Sequence, residues 1–273
     1  MTPRRILVLL ILGMTAWGVL YGFQQRFGFQ QRRWQAYEGE MQNPAEDPPD
    51  AHEDTELAFA RLRYGSWGRG FYRGGSWGTD SNKAERQFVQ GVRRLTTIHT
   101  RSVEEIIDVD SDEIFNWPWV YAVEVGRWAL SESQARRLRE YLDRGGFLVV
   151  DDFHGGWEWD AFMAGLRQVA PDRPVVELPD DDPIFHVLYD LEKRFQVPGR
   201  QYIWSGSTYE RMDGVAPHWR GIYDDKGRVQ VAILFNMDHG DAWEWADDPR
   251  YPEPFAALAY RIGINYIVYA MTH

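Results

Sequence analysis

Two short stretches carry most of the ionisable side chains that could do chemistry together. Asp151-Asp152-Phe153-His154-Gly155-Gly156 sets two carboxylates and an imidazole at the end of the apolar run Phe147-Leu148-Val149-Val150. Asn236-Met237-Asp238-His239-Gly240-Asp241 repeats the arrangement after a second apolar run ending in Phe235. Mixed carboxylate and imidazole groups suit a divalent metal or an acid–base pair. Asp152, His154, Asp238 and His239 are therefore the candidate catalytic residues, and the same four are the candidate metal ligands. Their spacing matches no zinc signature such as His-Glu-x-x-His. No cofactor is expected on that ground, with a divalent metal as the alternative. Arg61, Asp151, Gly155, Asn236, Asp241, Trp157 and Trp243 complete the set as candidate ligand-binding residues. The plainer alternative is that Asp152 caps the next helix and His154 fills space.

The elements that must position these residues can be read from hydrophobic spacing. A short apolar run between two helical patterns reads as a buried parallel strand. In open α/β sheets the ligand crevice lies beyond the carboxyl ends of such strands. The pattern predicts strands over 58–64, 106–109, 119–123, 147–152 and 175–177, then a hairpin pairing 221–225 with 229–235. Helices are expected over 82–98, 131–142, 160–169 and 255–271, the second opening on a capping box from Ser131 to Gln134. Residues 178–221 are irregular, and so long a loop in a compact domain is more often functional than accidental. Alternating strands and helices imply an α/β layer fold with a mostly parallel sheet.

Other motifs exclude more than they assign. The glycine-rich loop at 65–78 follows a strand, and Arg61, Arg63, Arg69 and Arg73 could hold an anion there. It lacks the third glycine of the dinucleotide motif and any Gly-Lys-Ser/Thr, so no nucleotide site is expected. No Gly-x-Ser-x-Gly elbow exists, and Ser205-Gly206-Ser207 has no strand-then-helix context. Trp67, Trp77, Trp157, Trp159, Trp204, Trp219, Trp243 and Trp245 fall in predicted loops, where indoles stack on sugars or pack protein partners. Glu158 and Asp160 with Asp238 and Asp241 are a conceivable hydrolytic carboxylate set.

The chain has 273 residues, 44% of them hydrophobic, enough for one sizeable core. A net charge of −11 with no basic stripe argues against nucleic acid as a partner. The absence of cysteine excludes disulfides and thiolate nucleophiles. Residues 1–5 read as a cytoplasmic N-terminus, and 6–23 as an uncharged transmembrane signal anchor. Residues 24–56 form a juxtamembrane segment and an acidic, proline-rich linker, and 57–273 the globular domain. The expectation is a single-pass inner-membrane protein with its bulk in the periplasm. A cleaved signal ending near Ala16-Trp17-Gly18, leaving a soluble periplasmic protein, is the alternative.

Several segments resemble the bacterial domain of unknown function 4159. They are Phe59-Ala60-Arg61-Leu62-Arg63-Tyr64-Gly65, Gly145-Gly146-Phe147 through Asp152, Asp182-Pro183-Ile184-Phe185, Asn236-Met237-Asp238 and Gly263-Ile264-Asn265 through Ala270. That family is similar to the class I glutamine amidotransferase-like superfamily, which implies a flavodoxin-like three-layer sandwich. In amidotransferases a cysteine occupies the strand-to-helix elbow and is activated by a histidine after a later strand. The matching elbow here falls near Asp152-Phe153-His154, so thiol glutaminase chemistry is excluded, and His239 is the counterpart histidine without its nucleophile. The resemblance also implies gene neighbourhoods with MoxR-type ATPases and von Willebrand A-domain proteins, and so envelope protein partners. The expected function is a non-catalytic or divergent ligand- or protein-binding module of the cell envelope. The alternative is a metal- or carboxylate-dependent hydrolase acting on a glycan or envelope metabolite. The binding reading predicts that Asp152, His154, Asp238 and His239 line one pocket.

Overall fold

The computed structural model describes residues 48–66 and 76–273. The expected membrane anchor at 6–23 and most of the glycine-rich loop, with Trp67, Arg69 and Arg73, lie outside the described residues. Among the described residues no helix is long and apolar enough to cross a membrane.

The chain folds as a mixed α/β domain on one seven-stranded sheet, ordered β2-β1-β3-β4-β7-β6-β5. The strands are β1 (Ala60–Arg63), β2 (Glu105–Asp108), β3 (Trp119–Val123), β4 (Phe147–Asp151), β5 (Val176–Glu177), β6 (His218–Tyr223) and β7 (Val229–Phe235). The first five in spatial order run parallel. β6 turns back against β7 and pairs antiparallel with β5. The parallel strands β3, β4 and β7 are buried at every position, which is why they read as unbroken apolar runs rather than as alternation.

Helices cover both faces. On one, α1 (Lys83–Leu95), α4 (His239–Glu244) and α5 (Glu253–Thr272) pack through Phe88, Val92, Trp243 and Ala259 onto Phe59, Tyr121 and Val149. α2 (Glu132–Asp143) and α3 (Gly155–Val169) pack on each other away from that core. Ser131 opens α2 with the reciprocal capping box that its spacing predicts. α3 begins five residues earlier than the hydrophobic spacing indicates, because the glycine pair after His154 is already helical.

The long irregular segment is tied down by buried polar side chains. Asn265 on α5 accepts from the Tyr189 N–H at 2.8 Å and donates to its carbonyl at 2.9 Å. Gln196 donates to the carbonyls of Gly214 and Asn236 at 2.9 and 2.8 Å. Leaving such buried backbone groups unpaired would cost about 1–3 kcal/mol each. These ties hold Gly199, Gln201, Glu210 and Asp213 over the carboxyl edge of the sheet.

Candidate functional site: a buried carboxylate cluster at the strand ends

Strand register brings the site together. Val123 stands opposite Asp151, so β3 and β4 end level, and Glu124 and Asp152 follow side by side. The Glu124 N–H donates to the Asp151 carbonyl, and the Asp152 N–H to that of Met237, which laces β3, β4 and the end of β7. Asp80 enters from the connection between β1 and α1. Asp80, Glu124, Asp152 and Asn236 have φ of 63°, 50°, 54° and 63°, and among the described residues no other non-glycine residue has positive φ. Left-handed backbone at a non-glycine residue is uncommon, and here all four examples ring one edge of the sheet.

Asp151 and Asp152 divide the work of that edge. Asp151 is fully buried, and its Oδ2 accepts the Tyr121 hydroxyl at 2.9 Å and the N–H groups of His239 and Gly240 at 2.7 and 3.1 Å. Its Oδ1 lies 3.1 Å from His239 Nδ1. A carboxylate only accepts, so this contact places the imidazole proton on Nδ1. His239 Nε2 has no partner, and the ring lies between Trp219 and Trp243 with no exposure. His239 is thus a sealed packing group beside its own helix start.

Asp152 instead faces other acids. Carboxylate oxygens of Asp80, Asp152 and Asp238 lie within 4.8 Å of one another, as do those of Asp80, Asp241 and Glu244. On the other side of Asp152, His154 Nε2 lies 3.2 Å from Asp152 Oδ1 and 3.7 Å from Glu210 Oε2. Two unit charges 4 Å apart repel by about 4 kcal/mol at an effective dielectric of 20. Burial first, and then the neighbouring acids, drive the carboxyls of Asp80, Asp152 and Asp238 well above their ordinary range. Glu124 is pushed up to about 7, mainly by burial, with Arg127 opposing and Glu158 reinforcing the rise. Such shifts concentrate at functional sites, although structural networks also produce them.

The remaining candidates occupy distinct places. Arg61 is buried under the site, bonded to Glu85 and donating to the carbonyls of Trp77 and Thr79 at 3.0 and 2.9 Å. Its charge opposes the rise at Asp80. Asn236 accepts from the Gly155 N–H at 2.9 Å and donates to the Ala216 carbonyl at 2.9 Å, fixing the start of α3. The Gly155 and Gly156 region is closed over by Asp213, which accepts from the Gly156 N–H at 2.8 Å. Asp238 caps α4 by accepting from the Asp241 N–H, and Asp241 Oδ2 accepts from the Arg200 N–H, both at 2.7 Å. Trp243 is core, packed on Phe59 and Phe88, and Trp77 and Trp219 are buried too. Trp157 and Trp204 are exposed, 58% and 69%, and so is Met212, 82%.

Of the four residues expected to line one pocket, Asp152, His154 and Asp238 meet at this edge, whereas His239 is enclosed between two indoles; Asp80, Glu124, Glu210 and Glu244 carried no sequence signal. The broader clefts around Arg139, Arg173, Asp225 and Arg228 lie at the opposite, amino end of the sheet and gather solvated side chains. They lack the buried, like-charged chemistry of the carboxyl edge.

A family described as Domain of unknown function (DUF4159) matches residues 58–271, which is the whole sheet and all its helices. The chain belongs to this family. Among curated proteins none matches the chain. DUF4159 membership thus carries no activity with it, and the site's own geometry must supply the reading.

Proposed function

We propose that this DUF4159 chain is a membrane-anchored, extracytoplasmic module of the cell envelope that binds a ligand at the carboxyl edge of its sheet and has no thiol glutaminase activity. The observation that carries it is the convergence of Asp80, Asp152, Asp238, Asp241 and Glu244 from three separate connections into one buried cluster. Among the described residues no nucleophile–base pair accompanies them. The chain has no cysteine, and His239, the counterpart of the amidotransferase histidine, is enclosed by indoles with its Nδ1 committed to Asp151. The strand order from β2 to β7 has the 2-1-3-4-5 pattern of flavodoxin-like sheets, which supports the amidotransferase-like, three-layer reading. Asp152, left-handed between β4 and α3, stands where that reading puts the elbow. The uncharged stretch at 6–23 after Arg4 and Arg5 supports the anchor.

Chromosomal Asp152→Asn tests the binding role against a deletion of the gene. A shared phenotype with undiminished protein level supports it, and a wild-type phenotype contradicts it. A C-terminal alkaline phosphatase fusion tests the location, and an inactive fusion refutes the periplasmic placement.

Two observations favour a second reading, a carboxylate- or metal-dependent hydrolase acting on a glycan or envelope metabolite. A Glu124 carboxyl raised to about 7 is what a general acid requires at neutral pH, and the exposed Trp157 and Trp204 offer indole faces to a sugar. Release of reducing ends from envelope glycan, lost in Glu124→Gln, distinguishes hydrolysis from binding alone.

A further inference from the structure

We propose that a hard divalent cation, of the Mg2+, Mn2+ and Ca2+ class, binds at the carboxyl edge between Asp80, Asp152 and Asp238. This rests on the proposed function in placing the ligand at this edge, and it names the ligand's chemistry.

The three carboxylates reach one another within 4.8 Å. Oxygens sharing one coordination shell lie at most about two bond lengths apart, roughly 4.2 Å around Mg2+ and roughly 4.8 Å around Ca2+. The cluster therefore needs little or no rearrangement to close on an ion. A second observation is independent of the proximity of the acids. Asp80 is only 7% exposed, and its Oδ2 has no hydrogen-bond partner. That oxygen is aimed inward, 2.5 Å from where a Cβ on Gly240 would stand, in the first turn of α4 between Asp238 and Asp241. Buried polar atoms are rarely left without a partner.

A neutral oxygen stands beside Asp238 as well. Both polar atoms of the Gln201 amide are buried and unpartnered. Gln201 Oε1, Asp238 Oδ2 and Asp241 Oδ2 surround the position a Gly199 Cβ would take, at 2.7, 2.6 and 2.7 Å. Only glycine at 199 lets these oxygens converge. An all-oxygen set of carboxylates and an amide selects hard cations over zinc. Zinc would instead draw on the neighbouring set of Asp152, His154 and Glu210, which contains an imidazole.

The test uses the full chain in mild detergent, stripped with chelator and then titrated separately with Mg2+, Mn2+, Ca2+ and Zn2+ while the melting temperature and binding heat are read. We expect a saturable rise in melting temperature with at least one hard cation. Asp80→Asn and Asp238→Asn should each weaken binding at least 10-fold, while the remote, exposed Asp225→Asn retains it. Circular dichroism in chelator confirms that each variant is folded. No response to any hard cation overturns the proposal, as does a response that survives Asp80→Asn or one confined to Zn2+ and lost in His154→Ala. The Asp152→Asn phenotype is read without added cation. Failure of titration with that phenotype intact removes the cation alone, and the converse removes the envelope role alone.

Discussion

Asp151 takes the His239 backbone N–H at 2.7 Å and faces the same residue's Nδ1 at 3.1 Å, so one buried carboxylate joins the end of β4 to the first turn of α4. Its neighbour Asp152 turns into a left-handed conformation and meets other acids instead. Adjacent carboxylates on one strand end thus have opposite energetic signs. Asp151→Ala should lose about 3 kcal/mol or more, because it strands the Tyr121 hydroxyl and two helix N–H groups in the interior. Asp152→Asn in chelator should be neutral or stabilising. Denaturant midpoints of the two variants check the contrast.

The raised carboxyls also set a pH dependence. In the unfolded chain an aspartate titrates near about 4, whereas burial and then Asp241, Glu244 and Asp152 raise Asp80 well above that in the folded state. The folded state therefore holds this proton more tightly. Its stabilisation is complete below the unfolded value and is lost as pH rises through the folded one. Asp152 and Asp238 act with the same sign. Asp50, Asp224, Asp247 and Asp248 have lowered values and the opposite sign, but they are common to wild type and variant. Melting curves in chelator should show Asp80→Asn gaining over wild type at pH 8 and gaining little at pH 4.

Gly199 makes a steric prediction. A methyl group there would stand 2.6 Å from Asp238 Oδ2 and 2.7 Å from Asp241 Oδ2, inside contact distance. Gly199→Ala should displace these carboxylates and reduce cation affinity at least 10-fold while leaving the far-UV spectrum unchanged. Calorimetric titration with Mn2+ or Ca2+ reads the change. Affinity equal to wild type would show that the oxygens beside Gly199 take no part.

Trp243 and Trp157 stand far apart in burial, 1% and 58% exposed. Trp243→Ala should cost about 3–5 kcal/mol, since its ring packs among Phe59, Phe88 and Tyr121. Trp157→Ala should change stability by less than about 0.5 kcal/mol. Any loss of glycan or partner binding in that variant is then a surface effect, and equilibrium unfolding checks both values.

Much of the scaffold was legible in the residues. β4 and β7 announce themselves as apolar runs with acids at or just beyond their ends, and Ser131 with Gln134 marks the start of α2 at the position observed. The convergence of Asp152 with Asp238 followed from placing both at carboxyl ends of parallel strands. Asp80 was not legible, because nothing local distinguishes Thr79-Asp80-Ser81-Asn82 from a solvated turn, and only the β1–β3 neighbourhood carries it inward. Glu210 reaches the site from the irregular loop, whose path depends on Gln196 and Asn265 finding distant carbonyls. The left-handed residues carried no glycine signal. Arg61 looked like an anion ligand because its buried partner, Glu85, sits 24 positions away on a different element.

Crystals grown with Mn2+ and measured at its absorption edge test the central claim most directly. We expect an anomalous peak at the carboxyl edge, bonded at about 2.2 Å by oxygens of Asp80, Asp152 and Asp238 and absent from Asp80→Asn crystals. Mn2+ found only elsewhere, or carboxyls at this edge bonded to one another with no peak between them, would contradict it.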